Sequence, residues 1–279
     1  MNYSQKFLFP ILLVVTLLST AITSCKRTTK ETVKQSARTL VYDSLVVNKS
    51  IALTNDTSGP VNKLAIHFVF PSSIKGDSML LQSVQKQFVE ALFGAEYAHF
   101  KPQEATDNFY KKYEEDYLAT ASDYNKAKAQ GFEMQSWGNT FQTMRTDTLP
   151  SSKPDTLSFC AYVENYNGGA HGSHHTGYYN IDLKTGKPIK ESDIFKPGYE
   201  AELKKAIIHQ LLAVNKLTRP EELIEKGFFD LNDLKPNNNF LITKDGITYG
   251  FNEYEIAPYY MGLIKVHIAS SSISNILKR

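Results

Sequence analysis

Cysteine is scarce in this chain. Cys25 and Cys160 are the only two among 279 residues, so no disulfide framework can replace a hydrophobic core. An excess of one charge is missing too: 31 basic residues face 29 acidic ones, a formal +2. That balance argues against nucleic acid as a partner, which needs a clustered basic face. Phosphate-loop and dinucleotide glycine patterns are absent, and so is the G-x-S-x-G of serine hydrolases. Apolar runs of membrane-spanning length are missing as well. What the chain does have is Phe and Tyr, 16 of each. Aromatics of this bulk can fill a core without disulfides. The length suits one large domain or two modest ones.

The longest apolar run, residues 7–18, follows Lys6 and is too short to span a bilayer comfortably. Small polar residues and then Ile22-Thr23-Ser24-Cys25 come after it. This resembles a bacterial lipobox, in which the cysteine is lipidated and becomes the first mature residue. Residues 1–25 are therefore expected to be a lipoprotein signal peptide, with Cys25 the lipidation site. A secretory signal with an incidental cysteine is the alternative. The expected address is the bacterial cell envelope, with the membrane contacted through the N-terminal lipid. Lys26 supplies no acidic retention signal, which favours the outer membrane, periplasmic or surface face, in a cell that has one. Lipidation leaves Cys160 alone. It lies in an alternating strand with no local base, so it reads as a structural thiol.

Residues 26–39 are polar and basic and read as a tether. An N-terminal α+β domain is expected over 40–150 and a second over 151–279. Strands are expected from Leu40 and over 63–70, with a turn at 55–60 between them and Pro71 ending the second. Leu80, Val84, Phe88 and Leu92 recur at helical spacing, with Asp77 or Ser78 as cap. Residues 106–130 read as one longer, polar helix with a stripe of Phe109, Tyr113, Tyr117 and Tyr124. A long strand or bent pair follows over 132–149, with a bend at Gly138-Asn139 and a turn over 150–154. Residues 156–166 alternate strictly. Leu157, Phe159, Ala161 and Val163 share one face, and Ser158, Cys160, Tyr162, Glu164 and Tyr166 the other. A strand over 177–183 and a helix over 199–215 follow, the helix with Val214 on its apolar face. Pro220 opens a short helix. Lys244-Asp245-Gly246 reads as a hairpin turn. A last strand covers 263–268, and 273–277 reads as a frayed terminal helix. Strands and helices are mixed without regular alternation. The expected class is α+β, with antiparallel sheets, packed helices and two sequential subdomains.

The chemistry concentrates at Tyr166-Asn-Gly-Gly-Ala-His-Gly-Ser-His-His175. His171, His174 and His175 could supply zinc ligands, and a catalytic zinc needs three with an orienting second shell. Neighbours 174 and 175 point apart on an extended chain. The plainer reading has His171 anchoring a tight turn, with the other two exposed. Glu253 and Glu255 would share a face if their stretch were extended, as acid–base pairs do.

The blocks Gly168-Gly-Ala-His-Gly172, Tyr179-Asn-Ile-Asp-Leu-Lys-Thr-Gly-Lys187 and Asn252-Glu-Tyr-Glu-Ile-Ala-Pro-Tyr-Tyr-Met-Gly262 resemble the RsiV-like C-terminal domain family over roughly residues 155–269. Upstream, Leu92-Phe93-Gly94 and Tyr97 are similar to the companion domain that precedes this module in the peptidoglycan deacetylase PdaC. The resemblance implies an extracytoplasmic α+β module that binds lysozyme in RsiV and accompanies a deacetylase in PdaC. Neither anti-sigma nor deacetylase activity is expected to carry over, since the segments for them are not in this sequence. Tyr162, Tyr166, Tyr178, Tyr179, Tyr254, Tyr259 and Tyr260 cluster around the family motifs, and tyrosine suits sugar or protein contact. The candidate ligand-binding residues are Tyr166, Gly168, Gly169, His171, Tyr179, Tyr254 and Tyr259. The expected function is recognition of a lysozyme-like protein or a peptidoglycan-related ligand, without a cofactor. The alternative is a metal-dependent hydrolase of envelope polymer that uses His171, His174 and His175.

Overall fold

The structure, a computed structural model, describes residues 32–35, 38–132, 140–149, 153 and 155–278. The expected signal segment with Cys25 lies outside the described residues. So do the bend at Gly138-Asn139 and most of the turn at 150–154.

Seven strands form one sheet in chain order: β1 (Thr32–Gln35), β2 (Arg38–Ala52), β3 (Val61–Ile74), β4 (Thr140–Leu149), β5 (Thr156–Tyr166), β6 (Ser173–Asp182) and β7 (Lys187–Pro188). Neighbours are antiparallel except β3 and β4, which run parallel. A parallel pair needs a long crossover. Here α1 (Ser78–Phe93), α2 (Pro102–Ala119) and α3 (Ala121–Ala129) lie in that crossover. Period-two alternation directs Leu64, Ile66, Phe68 and Phe70 inward and leaves Lys63 and His67 exposed. Helix α1 covers this face with Leu80, Val84, Phe88, Leu92 and Phe93. Phe88 stacks on Phe159 of β5 at 3.8 Å. The Asp77 carboxylate accepts the Leu80 N–H at 2.9 Å and caps the helix.

Two local expectations change. Strand β3 runs through Pro71 to Ile74, because a register shift at Val41/Tyr42 lies opposite the proline. A bulge tolerates the residue that cannot donate to the ladder. The helix expected over 106–130 is two, broken at Thr120, and begins at Pro102. Proline is favoured in the first turn, where its missing N–H has no intrahelical partner to lose. Phe109 and Tyr113 from the aromatic stripe pack on the core, and the Tyr113 hydroxyl donates to Asn62.

Strands β4 and β5, on either side of the border expected at 150, are paired neighbours in this sheet. Leu157, Phe159 and Ala161 of β5 belong to the same buried cluster as β2, β3 and α1. The side chains divide later, between Leu183 and Phe195. Likewise Thr32–Gln35, inside the expected tether, pairs with β2 as an edge strand. Such pairing is backbone to backbone, so a polar segment can join a sheet without a core of its own.

The second cluster holds α4 (Glu191–Ile194), α5 (Glu200–Asn215), α6 (Pro220–Glu225) and a three-stranded antiparallel sheet. That sheet is ordered β10 (Ile264–Ala269), β9 (Gly246–Phe251), β8 (Phe240–Ile242). Leu203, Ile207 and Leu211 of α5 are buried, whereas Val214 is exposed because it lies past the end of the covered stretch. The expected terminal helix at 273–277 is instead a 3₁₀ turn at Ser270–Ile273. Among the described residues no helix is long and apolar enough to cross a membrane.

Asparagine side chains join the two units. Asn239 Oδ1 accepts the Tyr178 N–H at 2.7 Å, and Asn252 Oδ1 accepts the Thr176 N–H at 2.8 Å. Both side-chain amides donate back to the Thr176 carbonyl, at 2.9 and 3.2 Å. Asn180 answers from β6 by donating to the Phe240 carbonyl and accepting the Ile242 N–H. A carboxamide carries the donor and acceptor of a peptide group. Asn239 and Asn252 thus stand where a neighbouring strand would satisfy the edge of β6, and Asn180 does the same for β8.

Candidate functional site

One wall of the site begins with the turn between β5 and β6. Gly168 and Gly169 have φ of 89° and 97°, a region open to glycine at little cost. The Tyr166 hydroxyl donates to the Gly169 carbonyl at 3.0 Å and closes the loop. The turn is tight enough that β6 starts at Ser173, so His174 and His175 are strand residues rather than loop residues. His174 pairs with Glu164 and His175 with Val163. Alternation sends the two imidazoles to opposite faces of the sheet. Among the described residues no three His, Cys, Asp or Glu side chains are grouped as metal ligands.

The other wall is the segment after β9. Tyr254 has φ 65°, its N–H donates to the Ala257 carbonyl, and the Glu255 N–H donates to the Asn252 carbonyl. The chain is therefore coiled there, not extended, and the two carboxylates part company. Glu253 turns to His174, while Glu255 accepts from Asn237 at 2.6 Å. A 3₁₀ turn at Tyr259–Met261 then brings Tyr259 across to the histidines.

The walls meet through rings. Tyr259 stacks on His171 with centroids 3.9 Å apart and lies 5.4 Å from the His174 ring. His171 Nδ1 donates to the Gly172 carbonyl at 2.7 Å, which leaves Nε2 as an acceptor, 3.4 Å from the Tyr254 hydroxyl. His174 Nδ1 bonds the Glu253 carboxylate, and its Nε2 lies 3.5 Å from the Tyr259 hydroxyl. The Glu253 side chain is only 7% exposed. A buried carboxylate needs such a partner.

Beside these contacts opens a cleft of about 380 Å³, lined by Tyr162 and Thr176 on one side and by Tyr259, Tyr260 and Leu263 on the other. Tyr254 and Tyr260 are 56% and 76% exposed. Tyrosines placed this way offer flat apolar area to a partner. Partial burial, followed by the charges of Glu253 and Glu164, raises the pKa of the Tyr259 hydroxyl. The row Tyr259–His174–Glu253 has the order of nucleophile, base and orienter. The raised pKa keeps that hydroxyl protonated rather than activated for attack. Cys160 is half-buried, and burial followed by Asp147 raises its pKa too, as expected for an inert thiol.

Of the residues expected at the site, Tyr166, Gly168 and Gly169 shape the turn, and His171, Tyr254 and Tyr259 meet. Tyr179 does not join them. Its ring stacks on Phe159 at 4.9 Å, on the helix-covered face of the sheet, because it is one residue out of phase with Tyr178. His174, read as an exposed loop residue, lies at the centre. Asn239 and Asn252 carried no expectation. The run Asn237-Asn238-Asn239 was the available signal, since consecutive asparagines suit turns whose side chains bond to backbone.

Residues 192–271 match the family described as "Protein of unknown function (DUF3298)". The matched segment contains the 252–262 wall and begins after the histidine wall. A crystal structure of a DUF3298 family member from Bacteroides fragilis NCTC 9343 is 29% identical, with a TM-score of 0.81, over 88% of this chain and 96% of that one. A DUF3298 family protein from Pseudomonas aeruginosa PAO1 is 16% identical, with a TM-score of 0.56, over 86% and 94%. The second likeness concerns the fold alone. No curated protein matches the chain.

Proposed function

We propose that this chain is a lipid-anchored, extracytoplasmic binding protein of the bacterial envelope, and that the cleft between β6 and the 252–262 segment is its recognition site. One observation carries the reading. The two blocks that resemble the RsiV-like module, far apart in sequence, pack ring on ring through His171 and Tyr259. Exposed Tyr254 and Tyr260 flank that contact and supply the contact area expected of a binding surface. The ligand classes the reading favours are a lysozyme-like protein and a peptidoglycan fragment. The lipid anchor is supported by Lys6, the apolar run 7–18 and Cys25. The binding chemistry calls for no cofactor. Calorimetric titration of the full chain, in mild detergent, with lysozyme and with soluble peptidoglycan fragments tests the proposal. Saturable heat with either ligand that is lost in Tyr259→Ala supports it. No heat with either contradicts it.

A further inference from the structure

We propose that the cleft receives a positively charged side chain, a lysine or arginine, presented by a protein partner. The inference rests on the binding reading above and adds the chemistry of the occupant.

The walls are aromatic rings: Tyr162, Tyr259 and Tyr260. A ring face carries negative potential and attracts a cation lying over it, most strongly when water is excluded. Glu253 lines the same cleft, and Glu164 lies across the β5–β6 pair from His174. Among the described residues no lysine or arginine lines the cleft. Charge and ring faces therefore select the same kind of guest. The upward push on the Tyr259 hydroxyl from Glu253 and Glu164, second to burial, reports the same negative field.

The fold already uses this chemistry next door. The Arg145 guanidinium lies 4.1 Å over the Tyr162 ring. Its Nε bonds Asp147 at 3.1 Å, which fixes it on β4, outside the set of cleft-lining residues.

A sugar guest fits less well. Pyranose recognition needs free donors and acceptors around the ring. Here the Asn252 amide is committed to Thr176, the Tyr162 hydroxyl to Glu164, and Glu253 to His174. A carboxylate keeps its charge and further lone-pair sites after one such bond. The charge of Glu253 and the exposed ring of Tyr260 remain for a guest.

The test is NMR titration of the full chain with three probes: tetralysine, fully Nε-acetylated tetralysine and chitotetraose. Lysozyme serves as a fourth, whole-protein probe. The expected result is saturable movement of the His174, Tyr259 and Tyr260 amides with tetralysine, at least tenfold weaker with the acetylated form. Glu253→Gln, which keeps a hydrogen bond to His174, should weaken binding about fivefold. Tyr260→Ala, at a site exposed enough to leave folding intact, should weaken it about threefold. Tetralysine binding unchanged in both variants overturns the inference. If chitotetraose moves these amides and tetralysine does not, the inference falls and the binding reading stands. If none of the four moves them, both fall.

Discussion

His174 and Glu253 come from opposite walls of the cleft and are bonded to each other, the carboxylate buried and the imidazole at the surface. The pair latches the 252–262 segment to β6. Removing the histidine strands a buried acceptor, which costs about 1–3 kcal/mol. Neutralising the acid while keeping its shape costs less. His174→Ala is expected to lose about 1–3 kcal/mol in urea denaturation, and Glu253→Gln less than about 1 kcal/mol. Equal losses would mean the latch is not held by this bond.

Tyr254 occupies the left-handed region with φ 65° and is mostly exposed. A side chain there carries about 1–2 kcal/mol of steric cost. Tyr254→Gly should therefore be more stable than Tyr254→Ala by about 1 kcal/mol, and both should bind the ligand more weakly. Thermal denaturation of the two variants checks the order. Alanine more stable than glycine would show that the strain is not real.

The asparagine clasp makes a local prediction. The Tyr178 N–H has Asn239 as its acceptor. Asn239→Ala leaves that amide without its acceptor, at a cost of about 1–3 kcal/mol, while the Thr176 carbonyl keeps its bond from Asn252. Hydrogen exchange at Tyr178 should quicken by one to two orders of magnitude, roughly 1.4 kcal/mol per decade, while exchange at the Phe159 amide in the first core stays slow. Uniform acceleration would point to global rather than local loosening.

Stability should fall in alkali. Burial raises the pKa of the Tyr42 hydroxyl, and burial with Glu191 raises that of Tyr249. Burial and the bond to Glu114 push Tyr110 up to about 12. The unfolded tyrosine value is about 10. The folded state therefore holds these protons more tightly. The stability they confer is complete below about pH 10 and is lost as pH rises through the folded values. Urea midpoints measured from pH 8 to pH 11.5 should show this contribution flat to about 10 and declining above it. A midpoint unchanged at 11.5 would contradict the assignment.

Much of the fold was legible because it follows from period. The alternation of 156–166 and the helical spacing of Leu80, Val84 and Phe88 each report one buried face, and those faces are buried. The strands on either side of the expected border near 150 pair in one sheet, and nothing in the residues between them announces that pairing. Pairing partners, which decide the matter, leave no local mark. The site was half legible. His171, Tyr254 and Tyr259 stood out by motif. His174 and Glu253 stood out only as a possible zinc ligand and half of an acid–base pair; their contact with each other left no sign, because one depends on where a strand begins and the other on a coil that rotates it away from Glu255.

The proposed function stands on the turn at 168–172 and the segment at 252–262 forming one ligand site. Titration of the ¹⁵N-labelled full chain with lysozyme, and separately with peptidoglycan fragments, tests it most directly. One of them should shift the amides of His171, His174, Tyr254 and Tyr259 together, with a single saturation curve, and His171→Ala should weaken that curve at Tyr259. Binding that moves amides only elsewhere in the chain, or moves one wall without the other, would contradict it.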